Sequence, residues 1–176
     1  GLFRNDMIQR NKVEFVSERE FIAEDMIFDI DCIPCCKKIV HTNEALYFYR
    51  FNPDSLTTHY VPNRFERNVM LCGEMNSKLR KIYNSDAYRI RLDRYFLKIT
   101  RIALIEEIIH IKKNSWKVAR KNIDRIANNH ELIRILNSYP IEFLPRQQKL
   151  FFDALKQKRY FLVAVFIKCN MILKKQ

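Results

Sequence analysis

The sequence predicts an α+β fold, mainly α, with a short β element near the start followed by a helical region. Three observations predict it. Two early runs, residues 13–16 and 38–51, are rich in β-branched and aromatic residues. From Phe65 onward apolar residues recur at helical spacing. Between them, near Pro62, the composition changes. The chain therefore divides into residues 1–62 and a basic helical domain, residues 63–176.

The elements follow in order. Residues 2–12 predict a short helix with Phe3, Met7 and Ile8 on one side. Val13 to Val16 predicts a short strand, and Ser17 to Ala23 a polar loop. Glu24-Asp25 opens a second helix, because acidic residues offset the positive end of the helix dipole. Met26, Ile27, Ile30 and Ile33 form its apolar side, and Pro34 ends it. Lys38–His41 and Ala45–Arg50 read as strands joined at Thr42-Asn43-Glu44. Helices are then expected over 63–83 and over 86–111, the second capped by Asp86 with a stripe of Leu92, Tyr95, Phe96, Ile99, Ile102 and Ala103. Ser115 caps a third, with Trp116, Ala119, Ile123 and Ile126 on one face, and Asn128-Asn129 interrupts it before a short helix at 132–136. One long helix is expected over 146–173.

Composition excludes several classes. The two glycines, Gly1 and Gly73, are too few for a P-loop or a dinucleotide fingerprint. The five cysteines, an odd number with no secretion signal before them, suggest reduced thiols in a cytoplasmic setting. Cys32, Cys35 and Cys36 resemble half a zinc site, but no second pair follows, and structural zinc needs four ligands. Charge is asymmetric. Residues 1–64 hold 8 Lys+Arg and 10 Asp+Glu, whereas residues 65–176 hold 24 and 10. The second part is built to face something anionic.

The most informative stretch is Glu24-Asp25-Met26-Ile27-Phe28, then Leu46-Tyr47-Phe48-Tyr49-Arg50, then Asp54-Ser55-Leu56-Thr57. In this order it resembles the end of the catalytic domain of bacterial, inverting family 2 glycosyltransferases, which have the GT-A fold. That family shows an E-D pair opening a helix, a strand ending in Y-x-Y-R and a Ser a few residues on. Leu2-Phe3-Arg4 and Val13-Glu14-Phe15 fit its lead-in, so the resemblance covers about residues 2–60.

The resemblance implies that residues 1–62 are the C-terminal, acceptor-side end of a GT-A-like domain. The complete enzyme would transfer a sugar from a nucleotide-sugar donor to a hydroxyl of a saccharide or lipid-linked acceptor, with inversion, in surface polysaccharide synthesis. Asp25 would be the catalytic base, and Glu24 and Arg50 acceptor-side residues. No cofactor is expected in this chain. A divalent metal, Mg or Mn, belongs with the upstream half that carries the family's D-x-D motif, and without the donor site the chain alone is expected to be inactive.

Inversion by single displacement needs a base for the acceptor hydroxyl, and a carboxylate supplies one. The alternative is that Glu24 and Asp25 only cap a helix. Arg50 would face the leaving diphosphate or else tie down the Asp25 helix. Tyr47 and Tyr49 read as half-buried strand residues, Ser55 and Thr57 as turn residues, and Asp29 and Asp31 as solvated surface. The tail carries an apolar stripe bordered by Lys149, Lys156, Lys158, Arg159, Lys168, Lys174 and Lys175. It is too short to span a bilayer, which takes about 20 apolar residues. It suits the helical core, with peripheral contact to an anionic membrane at the inner face of the cytoplasmic membrane as an addition. A helical nucleic-acid-binding or structural module is the alternative function. Nucleic acid is not the expected partner, since that reading leaves residues 1–60 unexplained.

Overall fold

The computed structural model describes residues 1–48, 50, 60, 61 and 63–173, with backbone alone for 112–114 and 170–173. The fold is all-α. About 70% of the chain is helical, and among the described residues there is no strand. Eight α-helices are described: α1 (Asn5–Asn11), α2 (Glu24–Cys32), α3 (Arg64–Ile82), α4 (Arg89–Ile109), α5 (Ile111–Ala127), α6 (His130–Ser138), α7 (Arg146–Lys156) and α8 (Tyr160–Leu173). They fall into two units, residues 1–89 and 90–176.

The absent β element corrects the α+β expectation. A strand needs a partner edge, and β-propensity reflects packing more than backbone preference. Residues 13–16 close α1 instead. Lys12 takes a left-handed conformation (φ 50°, ψ 42°), and the Lys12 and Val13 amides donate back to Gln9 and Ile8 carbonyls at 3.3 and 3.2 Å. Val13 is thereby buried with Phe28 and Cys32, and Phe15 stacks on Phe28 with ring centroids 3.9 Å apart. Residues 38–48 meet no neighbouring strand and run as exposed, irregular chain around a turn in which Thr42 Oγ1 accepts from the Glu44 amide. Tyr49 and Phe51 lie outside the described residues.

In the first unit, α2 packs on α3. Ile27, Phe28 and Cys32 are the buried face of α2, and Phe65, Leu71, Cys72 and Met75 are the apolar buried residues of α3. Ile33, expected on the apolar face of the second helix, is exposed, because the helix tightens into a 3-10 turn at Ile33–Cys35 around Pro34. Lys78 of α3 clamps Asp31 of α2, donating to both carboxylate oxygens at 3.0 and 2.9 Å.

In the second unit, Leu104, Ile123, Leu132, Ile135, Leu155 and Val163 are almost fully buried, one or more from each of α4 to α8. Polar links fix the register. Glu107 of α4 accepts from Asn122 of α5, and Arg134 of α6 reaches Asp93 of α4 at 3.0 Å while forking onto Glu131. Asn129 caps α6 by accepting from the Glu131 and Leu132 amides.

Four helical expectations change. Asp86 opens a 3-10 turn over 86–88 rather than capping α4, and Ile102 is exposed rather than in the core stripe. In α5 the backbone breaks at Ser115 (φ 57°, ψ 156°), so the expected start there is seen as a kink. The expected long helix over 146–173 is two. Lys158 adopts φ 56°, and the Lys158 and Arg159 amides donate to the Leu155 and Ala154 carbonyls, a left-handed closure that ends α7.

Candidate functional site

The carboxylates singled out in the sequence sit on α2, and their roles separate by position. Ala23 precedes the helix with no side chain able to cap it. Asp25 therefore supplies a local acceptor itself: its Oδ1 takes the Met26 amide at 2.9 Å, and its carboxylate remains exposed. Glu24 is half-buried beside it. Asp29, one turn on, is exposed. Asp31 is not the solvated surface residue the sequence suggests, because Lys78 holds it half-buried. The far end of α2 is thus fixed by an ion pair and by buried Ile27, Phe28 and Cys32, while its first turn presents two acids.

Arg50 is exposed, and among the described residues it forms no ion pair with Glu24 or Asp25. Tyr47 is 83% exposed rather than half-buried. Tyr49, Ser55, Thr57 and His59 lie outside the described residues.

The cysteines do not converge. Cys35 and Cys36 thiols donate to the Asp31 and Cys32 carbonyls, one turn back. Cys32 is buried, and that burial raises its thiol above the ordinary range, with Cys36 and Cys35 adding to the shift. Among the described residues no three acid, histidine or cysteine side chains are arranged to hold a metal.

A concave feature lies in the other unit. A cavity of about 440 Å³ is lined by Trp116 and Arg120 of α5 and by Lys158, Arg159, Phe161 and Leu162 around the start of α8. The α7 closure aims Lys158 and Arg159 here, and Lys158 Nζ also reaches Asn128 Oδ1 at 2.8 Å. Tyr160 beside them is buried and donates its hydroxyl to Asp124 Oδ1 at 2.6 Å. Burial first, and then that carboxylate, hold the phenol well above its usual value. The sequence reading missed this site because it ran one helix through it. The polar run Gln157-Lys158-Arg159 between two apolar segments was the available signal.

Comparison with protein-family models, with curated proteins and with solved structures finds no match to this chain. Among the described residues no helix is long and apolar enough to cross a membrane.

Proposed function

We propose that this chain is the acceptor-side part of an inverting family 2 glycosyltransferase, acting in surface polysaccharide synthesis. The substrates are a nucleotide-sugar donor and a hydroxyl on a saccharide or lipid-linked acceptor. The acceptor oxygen attacks the anomeric carbon, the bond from that carbon to the diphosphate oxygen breaks, and configuration inverts. The proton of the attacking hydroxyl passes to Asp25, and the nucleoside diphosphate leaves. Glu24 contacts the acceptor, and Arg50 faces the departing negative charge.

The ordered resemblance over residues 2–60 supports this reading, and one structural observation carries it. Asp25 is an exposed carboxylate that accepts from the adjacent amide and, among the described residues, has no ion pair, on a helix anchored at its other end. A base must be held still yet remain open to substrate, and that is this arrangement. The exposed apolar side chains of Ile39, Val40, Leu46, Tyr47 and Phe48 are a surface on which the remainder of a catalytic domain would pack.

The test is Asp25→Asn in the enzyme that joins this segment to its donor half. Turnover should fall by about 10²–10⁴-fold, with donor binding unchanged, because the base acts on the acceptor. Asn caps a helix as well as Asp does, so folding should survive. Asp29→Asn, one turn along the same helix, should be silent. Equal, near-parental rates for both variants would reduce Asp25 to a cap.

A further inference from the structure

The short α8 has apolar residues on both sides. Its inward stripe of Tyr160, Val163, Ala164 and Ile167 is buried at the i, i+3, i+4, i+7 spacing of a core-facing helix. Its outward side carries Phe161, 75% exposed, with Leu162 and Val165 each 37% exposed. A helix packed on one face ordinarily turns polar residues to water. Here Phe161 is largely uncovered, and Leu162 and Val165 each keep about a third of their surface open, among the described residues. Trp116 of α5 lines the same cavity as Phe161 and Leu162 and is 36% exposed.

Cations surround this apolar surface. Arg120, Lys158 and Arg159 line the cavity, and Lys168 is exposed further along α8. The whole net charge of the chain belongs to this unit: residues 1–89 hold 13 Lys+Arg and 13 Asp+Glu, and residues 90–176 hold 19 and 7. That charge decides the occupant. A second copy would bring one strongly cationic unit against another. A nucleic acid would answer the cations but leave Leu162 and Val165 facing water. An anionic bilayer answers both, since its phosphates meet Lys and Arg while its headgroup–acyl boundary takes up aromatic and aliphatic side chains.

We propose that the outward face of α8, together with Trp116, is a docking surface for an anionic phospholipid bilayer. Phe161 and Trp116 enter the interface, and Arg120, Lys158 and Arg159 meet lipid phosphates. This surface does not depend on the sugar-transfer reading and stands or falls separately.

Trp116 is the single tryptophan and serves as the reporter. The full chain is titrated with phosphatidylcholine vesicles with and without phosphatidylglycerol, following sedimentation and Trp116 emission. The expected result is binding to the anionic vesicles alone, a blue shift, weakening by salt, and quenching by lipids brominated high on the acyl chain. Near a charged surface each Lys or Arg contributes about fivefold, so Lys158→Gln with Arg159→Gln should weaken binding roughly 30-fold. Phe161→Ser should weaken it roughly tenfold, since part of an aromatic side chain leaves apolar surroundings. Arg80→Gln with Lys81→Gln changes net charge equally on exposed positions of α3 and should have little effect. Circular dichroism checks folding, and the quenching measurement on the parent protein needs no variant. Equal binding to neutral vesicles, absence of quenching, equal losses from both charge pairs, binding to an oligonucleotide but not to vesicles, or self-association removed by Phe161→Ser would each overturn the proposal.

Discussion

Tyr160→Phe isolates one hydrogen bond. The ring keeps its packing, so no cavity forms, and only the 2.6 Å bond from the hydroxyl to Asp124 is lost. Hydrogen bonds to charged groups contribute about 1.5–3 kcal/mol. Tyr160 is buried but Asp124 is exposed, so the lower end applies, about 1.5 kcal/mol at pH 7. The pH dependence has a definite sign. Burial and then the Asp124 contact hold back the tyrosine's ionisation to higher pH in the folded protein, while the unfolded tyrosine releases its proton near pH 10. This contribution is therefore fully present below about pH 10. Above it the folded state holds a proton the unfolded state has lost, and stability falls by up to ~1.4 kcal/mol per pH unit. The phenylalanine variant lacks this loss, so its deficit should shrink from about 1.5 kcal/mol at pH 9 to near zero at pH 11. Urea unfolding followed by Trp116 emission measures it, because Trp116 lies in the same unit as the bond. A deficit under about 0.5 kcal/mol at pH 7, the usual scatter for surface substitutions, would refute the argument. So would a deficit that does not shrink from pH 9 to 11.

Two further outcomes follow from burial. Thr100 is fully buried in α4 with no partner for its hydroxyl among the described residues, so the near-isosteric Thr100→Val should raise stability by about 1 kcal/mol in the same urea assay; a loss would mean the hydroxyl is satisfied in solution. Cys169 is exposed while Cys32 is buried and that burial holds back its ionisation, so alkylation with iodoacetamide at pH 8, mapped by mass spectrometry, should modify Cys169 first and Cys32 last.

Helices were legible in the sequence wherever one side of a regular pattern met a core. Leu92, Phe96, Ile99 and Ala103 were read correctly, as were Ala119, Ile123 and Ile126. The periodicity of an isolated stretch does not say how many sides are covered, so the tail's apolar stripe reads as core although Phe161, Leu162 and Val165 within it face outward. The break at Lys158 was marked only by the polar run Gln157-Lys158-Arg159, because lysine usually continues a helix and no glycine or proline stands at the turn. The strands failed for a different reason. Val13 and Phe15 have strand-forming side chains, but the nearest apolar partner is Phe28 on a helix, and tertiary packing outweighed local preference. At the candidate site, the opening of α2 by Glu24-Asp25 could be read from charge alone. The anchoring of Asp31 by Lys78 could not, since 47 positions separate them.

The left-handed turns at Lys12 and Lys158 bear on how this protein tolerates change. Such positions usually belong to glycine, and a side chain there costs about 1 kcal/mol. With glycine absent from both turns, the chain keeps a lysine where a simpler residue would fold more easily. At Lys12 the side chain is exposed and forms no ion pair or side-chain hydrogen bond among the described residues, so drift to glycine or asparagine would pass without penalty. At Lys158 the same drift would ease the backbone and remove a cation from the cavity beside Trp116. Two turns of one geometry are thus under opposite constraint, and among related sequences the second should hold its positive charge while the first wanders.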